Sequence, residues 1–578
     1  MATASPSAAR LFPPASSRRL SSYWLAIVLF AVGMFNLPLR LIGWDGDGLP
    51  GDGIDNVLNN YMLEHGYQSL RGRASFWHAP IFYPTPGMTG TTDPHIALMP
   101  FYSLLRVLGL SPERAFQGWF ILAFVLNYVS ALWAARRLGF DPAPAAVAAF
   151  IFAFALPVTS QVSHAQLLHR WLVPPAVVLA WQFLGEPTHR RFALLTTCWF
   201  GQFLLTAYIA IFLAELLLVF LVLTGLRLYR NLPWSELFPL RVGVWLTRLL
   251  IILAILMAVG GIVLRHARVS GVMDREYLIL WAPEPLSWLA CHPTAVWNAV
   301  APALGLDLGN VHGERRLFPG WVPLLAMLFA LGQIRRSTET AEGRRKVVVS
   351  LLCWSSLLLA IWITRFGQVW LYEPILSLPG GSTIRVVGRI VLVLLFPLGL
   401  ASAELFTWVL SRSHYLARIG GIFLLLVLMA EHAVLPTTWV QQWEGQRVSL
   451  GQLVRWQERL EQAIRQHPQP RLVYVFPSEL PPAPELDHQY YRLQVVVMRA
   501  AQNVGIPCVN GYSGYNPADW DIFTSYRELF HWLTKARRVP AGHLRGLVLI
   551  GEPEPDVDPE YEGIMRQTYP PLPLPPWD

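Results

Sequence analysis

Long apolar runs broken by short polar stretches dominate the chain. A membrane-crossing helix needs about 20 apolar residues at 1.5 Å rise each. Segments that meet this requirement centre near residues 32, 124, 150, 178, 199, 217, 254, 327, 356, 397 and 427. The pattern predicts a polytopic α-helical membrane protein with about 11 transmembrane helices. The run from Phe192 to Leu228 is long enough for two short helices and is expected to turn near Tyr208. From about Thr437 the pattern changes. QQWEGQRVSLGQLVRWQERLEQAIRQ reads as a polar amphipathic helix, RLVYVFP and LRGLVLIG as strands, and Tyr490 to Asn503 as a further helix. The expected organisation is therefore an N-terminal segment 1–22, a membrane module 23–436 with one long loop 44–112, and a small α/β domain 437–578. The closing PPLPLPPWD implies no packed structure.

Composition supports this. Of 578 residues, 54% are hydrophobic and 14% charged, which excludes an ordinary soluble enzyme. The 24 Trp and 19 Tyr suit two membrane–water interfaces. The net charge of +8 is scattered over short loops with no long basic tail, which argues against nucleic acid as a partner. Cys198, Cys291, Cys353 and Cys508 lie far apart without CxxC spacing, so no disulfide framework or zinc site is implied. The start, MATASPSAARLFPPASSRRL, precedes the apolar run Tyr23 to Ile42, which ends in no small-x-small cleavage site and reads as an uncleaved signal anchor.

Basic residues in short loops set orientation. Arg10, Arg18 and Arg19, Arg136 and Arg137, Arg190 and Arg191, Arg227 and Arg230, and the loop RRSTETAEGRRK all fall on one side if the spans number eleven. That side is expected to be cytoplasmic, as is the N-terminus. Loops 44–112, 161–170, 265–318 and 366–384 and the C-terminal α/β domain are then extracytoplasmic.

The outward loops carry the candidate chemistry. GDGIDNVLNNYMLEHG supplies Asp52 and Asp55; Asp45 and Asp47, among glycines, read as loop solvation. The same loop continues through TDPHIALMPFYSLL, with Asp93 and His95, and IALMPFYSLLRVLGL suits a helix lying in the interface. Two carboxylates and an imidazole suit a general base and metal ligands, so Asp52, Asp93 and His95 are candidate ligands for a divalent cation such as Mg or Mn. SHAQLLHRW adds His164, Gln166 and Arg170, ERRLFPGW adds Glu314, and LPGGSTIRVVGR adds Arg385 and Arg389 as candidate substrate and phosphate contacts. Outward arginines at span ends run against the positive-inside trend, and the planar guanidinium fork matches phosphate. The plainer alternatives are solvation or capping for each Asp and snorkelling to headgroups for each Arg.

Together these stretches resemble the GT-C superfamily of membrane glycosyltransferases, which use polyprenyl-phosphate-linked sugars. GDGIDNVLNNYMLEHG is similar to the first-loop signature of that group, where an Asp at the membrane surface precedes a run like MLEHG. The resemblance places Asp52 as catalytic base, with Asp55 its competitor, and maps the second acidic motif onto Asp93. ERRLFPGW, LPGGSTIRVVGR and PCVNGYSGYNP resemble segments of a bacterial, uncharacterised subgroup. The resemblance implies an inverting glycosyltransferase, hexosyl or pentosyl, at the outer face of the bacterial inner membrane. A sugar would pass from a polyprenyl-phosphate donor to a glycan, lipid or protein acceptor of the cell envelope, with Arg385 on the leaving phosphate. Two other classes compete. A transporter or flippase would place ionisable groups in mid-membrane, where Glu215 and Arg248 are the notable candidates here. A non-catalytic envelope assembly protein would tolerate changes at Asp52 and Asp93.

Overall fold

A computed structural model describes residues 23–574 apart from 94, 229–241, 270–274, 309–310, 337–338, 377, 379–380, 382–383, 413, 435–446, 478–485, 518–519, 537–538 and 540. The N-terminal segment with Arg10, Arg18 and Arg19, Arg230, and the expected domain start at Thr437 lie outside the described residues.

Every apolar centre identified in the sequence falls inside a helix. Among the described residues, 6 helical segments are long and apolar enough to cross a membrane: Trp24–Ile42, Pro112–Arg137, Pro142–Thr159, Ala207–Arg227, Ala341–Ile363 and Val387–Leu410. Val173–Gly185, Thr247–Ile262 and Trp321–Arg335 are apolar but shorter. The chain is thus a multi-pass helical membrane protein. Of the about 11 expected spans, six reach spanning length among the described residues. The anticipated break near Tyr208 occurs at Thr206, whose extended backbone (φ −158°, ψ 125°) separates His189–Leu205 from Ala207–Leu228.

The chain divides into two compact units: Met1–Arg40, Phe120–Val259 and Met273–Trp443 form the first, and Leu41–Trp119, Gly260–Val272 and Glu444–Asp578 the second.

In the first unit the helix Val391–Leu410 packs on Pro142–Phe154, Trp321–Leu331 and Ala341–Ile363. Lipid gives helices no hydrophobic reason to associate, so close approach through small residues matters. PAPAAVAAFIFAF, at Pro142–Phe154, supplies such a face. A Cβ added at Gly399 would lie 2.7 Å from the Ala148 carbonyl oxygen, and one at Gly33 would lie 2.3 Å from the Phe154 ring. At the end of Tyr415–Glu431, the Glu431 carboxylate accepts N–H groups from Trp321 at 2.8 Å and Val322 at 3.3 Å. These are orphan donors of the first turn of Trp321–Leu331. Glu431→Ala would leave them buried without an acceptor and is expected to cost about 1–3 kcal/mol. Thermal unfolding in detergent checks this, with Glu431→Gln, which keeps one acceptor oxygen, falling in between.

In the second unit strand β1 (Gly48–Pro50) pairs antiparallel with β2 (Arg447–Ser449), Leu49 opposite Val448. Strand β3 (Leu472–Val475) lies parallel to β4 (Leu547–Ile550), all eight residues buried. The helices Leu450–Gln466 and Leu486–Val504 pack on each other. The anticipated strands and the helix around Tyr490 to Asn503 are present, whereas the expected amphipathic helix begins only at Leu450, its Arg447–Ser449 forming β2 and 441–446 lying outside the described residues. The long first loop contributes two helices of its own, Asp55–Leu70 and Met99–Val107. The second buries Tyr102 and Ser103 and exposes Phe101, Leu104 and Val107, as an interfacial helix would. Through β1–β2, residues 41–119 group with the C-terminal residues.

Candidate functional site

Two polar constellations hold the anticipated site residues, one in each unit. In the second unit the acidic turn is built by glycine. Gly51 and Gly53 adopt left-handed backbone (φ +99° and +82°), a region open to glycine at little cost. A Cβ at Gly53 would stand 2.7 Å from Val448 Cγ2. Gly53→Ala therefore meets both strain and a clash. It is expected to lower the unfolding midpoint and destabilise by at least about 1 kcal/mol, measured on the purified chain.

The four carboxylates of this turn have distinct employment. Asp47, expected to be loop solvation, caps the helix Leu450–Gln466: its carboxylate accepts Ser449 Oγ–H at 2.7 Å and Gly451 N–H at 2.8 Å. Its backbone oxygen accepts Leu450 N–H at 2.7 Å. Asp45 accepts the Asp47 N–H at 3.1 Å. Asp52 is half-buried; its Oδ1 accepts the Ile54 N–H at 2.9 Å, and its carbonyl accepts Arg492 Nε–H at 3.0 Å. Asp55 opens the helix Asp55–Leu70, where the exposed N–H groups favour a negative charge, and accepts the Tyr512 hydroxyl at 2.9 Å.

Asp93 is half-buried nearby in sequence, but His95 departs from expectation. It is 1% exposed, its Nε2 lies 3.1 Å from Asn59 Oδ1, and its ring meets Trp119 edge-on. Burial pushes its imidazole down to about 3, so the ring is neutral. The ring is held in place by an amide and an indole. Among the described residues no group of three or more His, Cys, Asp or Glu is arranged to hold a metal ion. The expected cation set Asp52, Asp93 and His95 is not among such groups. Sequence reasoning also passed over Glu64 within MLEHG. It is 3% exposed, with Arg106 Nε 2.8 Å and the Tyr102 hydroxyl 2.9 Å from its carboxylate.

In the first unit Glu314 is the centre. Arg389 grips it with both fork nitrogens, Nε at 3.1 Å and Nη2 closer still. Gln161 Nε2–H donates to Glu314 at 3.0 Å, and His164 Nε2 stands 3.4 Å away. Burial alone would raise the Glu314 carboxyl, but Arg389 and then His164 overcome it and hold it well below the usual carboxylate range. The Arg389 guanidinium also lies 5.1 Å over the Tyr208 ring, and the Tyr208 hydroxyl accepts the Arg385 N–H at 3.1 Å. Gly388 lets these turns approach: a Cβ there would lie 3.2 Å from the Glu314 carbonyl oxygen.

The anticipated residues His164, Glu314 and Arg389 are thus brought together, with Arg385 joined through its backbone. Gln161 and Tyr208 were missed; Gln161, three residues before His164 in QVSHAQ, was the available signal. Arg389, expected to meet phosphate, is instead the counter-ion of Glu314. Gln166 sits half-buried on the turn Ala165–Leu168. Arg170, expected at the boundary, is 0% exposed, with its guanidinium 4.8 Å over the Phe152 ring and donating to the Phe152 carbonyl. The side chain is thus held within the first unit.

No family model and no curated protein matches the chain. In structure the chain is similar to the apo form of the Archaeoglobus fulgidus oligosaccharyltransferase, at 11% identity and a TM-score of 0.50 over 87% of this chain and 66% of that one. It is also similar to the oligosaccharyltransferase AglB from the same organism in complex with an inhibitory peptide and a dolichol-phosphate, at 11% identity, 88% and 66% coverage and a TM-score of 0.47. ArnT from Cupriavidus metallidurans in the apo state matches at 13% identity, 95% and 88% coverage and a TM-score of 0.31. The chain covers just under two thirds of the oligosaccharyltransferase. At such identity the likeness is one of fold: a polytopic, GT-C-like helical membrane fold with a small C-terminal α/β domain.

Proposed function

We propose that the protein is an inverting glycosyltransferase that moves a hexose or pentose from a polyprenyl-phosphate donor to a glycan, lipid or protein acceptor of the cell envelope. The observation that carries this reading is the glycine-shaped acidic turn. Asp52 and Asp55 are held half-buried and structurally defined in a membrane chain whose fold is similar to that of an oligosaccharyltransferase. Asp52 takes the proton of the acceptor hydroxyl or amide as that group attacks the anomeric carbon. The bond between that carbon and the phosphate oxygen breaks, and the lipid phosphate leaves with the electron pair. Neutralising the charge that develops on the departing phosphate is worth at least as much as base catalysis. No step is routed through a metal ion.

In this reading the protein sits in a bacterial inner membrane with a cytoplasmic N-terminus and an extracytoplasmic C-terminal domain. The test is transfer by the purified full chain in liposomes, using polyprenyl-phosphate carrying a radiolabelled hexose or pentose and acceptors extracted from the source envelope. Label appearing in acceptor, with inverted anomeric configuration, is the expected result; donor that is bound but never transferred would favour the flippase.

A further inference from the structure

The C-terminal residues of the second unit touch the acidic turn at two independent points. Arg492, on the helix Leu486–Val504, donates from Nε to the Asp52 carbonyl, and Tyr512, in PCVNGYSGYNP, donates its hydroxyl to Asp55 Oδ1. The first contact fixes backbone. The second fixes a carboxylate, and it comes from a residue whose own position is set with unusual thoroughness.

Asn510, two residues earlier, exchanges hydrogen bonds with Val475 of β3, accepting its N–H at 2.8 Å and donating to its carbonyl at 3.1 Å; it also donates to Gln494 Oε1 at 3.0 Å. Gly511 N–H donates to the same Gln494 oxygen at 3.2 Å. A Cβ at Gly511 would stand 2.5 Å from the Phe82 ring. Across this segment Tyr83 N–H donates to the Cys508 carbonyl at 2.9 Å, and Cys508 N–H to the Pro80 carbonyl at 3.0 Å. After it, Ser513 Oγ–H closes on the Tyr515 carbonyl at 2.6 Å. The phenol of Tyr512 therefore leaves a backbone that is pinned on both sides. Fixing a functional carboxylate through a rigid neighbour is how proteins hold reactive geometry to within a fraction of an ångström. A hydroxyl donating to an ionised carboxylate is among the stronger hydrogen bonds available.

We propose that Tyr512 is a positioning residue of the transfer reaction. Its hydroxyl holds the Asp55 carboxylate as a fixed acceptor for a second N–H, or a neighbouring O–H, of the incoming acceptor molecule, while Asp52 removes the proton from the attacking atom. This rests on the glycosyltransferase reading and makes the segment 508–517 part of the acceptor side.

The test uses the full chain in liposomes with the labelled polyprenyl-phosphate sugars above, comparing wild type, Tyr512→Phe, Asp55→Asn and the double variant. Tyr512→Phe removes one oxygen. It is expected to lower kcat about tenfold, with KM for the donor within about twofold. The double variant is expected to be no slower than Asp55→Asn alone, because the two residues act through one hydrogen bond. Three results would overturn the assignment while leaving the reading intact, provided Asp52→Asn is inactive: Tyr512→Phe within about twofold of wild type, losses that multiply in the double variant, or a fall in unfolding midpoint that accounts for the lost rate. A wild-type chain that transfers from none of the donors would overturn the glycosyltransferase reading, and the assignment with it.

Discussion

Asp52→Asn is expected to lower sugar transfer by about 100- to 10,000-fold, the usual worth of a positioned general base. The substitution is nearly isosteric. Asn retains a side-chain oxygen able to accept the Ile54 N–H, and the Arg492 contact is made to the backbone, so the turn keeps its shape. What disappears is the charge that would take the acceptor's proton. The unfolding midpoint should stay at the wild-type value, which separates lost chemistry from lost structure. Activity retained within a few-fold would remove Asp52 as base and pass the role to Asp55, three residues along at the start of the helix.

The second large effect concerns stability. Glu314→Ala is expected to destabilise the chain by about 3–5 kcal/mol, because it strands a buried guanidinium without its counter-charge. The Arg389 side chain is 4% exposed and that of Glu314 11%, so water compensates little. Replacing both partners by leucine should recover most of the loss, since an apolar pair is cheaper to bury than one orphaned ion. Unfolding in detergent measures both. A single-variant loss under about 1 kcal/mol would show that the pair is solvated and the reasoning wrong.

The same pair sets an acid limit. The carboxyl of Glu314 is held below its usual 4.5 in the folded protein, so the folded state binds this proton less readily than the unfolded one. Its stabilising contribution is complete above that value and is lost as pH falls below it. Glu314→Gln should flatten the acid limb of a stability–pH curve, and an unchanged limb would contradict the assignment.

Much of this architecture was legible because it is written locally. A continuous apolar run can satisfy its backbone only by becoming a helix in lipid, so the helices appear where the runs are. The β3 and β4 strands announce themselves as short β-branched runs beside polar punctuation. The partners of charged groups are another matter. Glu314 meets Arg389 across 75 positions, and Arg106 meets Glu64 across 42. Neither spacing leaves a trace in local pattern. His95 looked like a ligand because Asp93 precedes it, yet its surroundings come from Asn59 and Trp119, on other elements. Asp47 looked like solvation among glycines, because the helix it caps begins at Leu450.

That last separation bears on how the protein is made. Asp47 and Ser449 stand 402 positions apart, and the strand that follows one pairs with the strand that carries the other. During synthesis, the acidic turn therefore emerges long before the strand and helix it pairs with. A polypeptide arrested before residue 447 would have its membrane helices but lack β2, the helix that Asp47 caps, the Arg492 anchor and the Tyr512 hydroxyl. The turn is thus completed only after residues 447 to 512 have been made, and a product arrested before them would hold Asp52 and Asp55 without the contacts that define their positions.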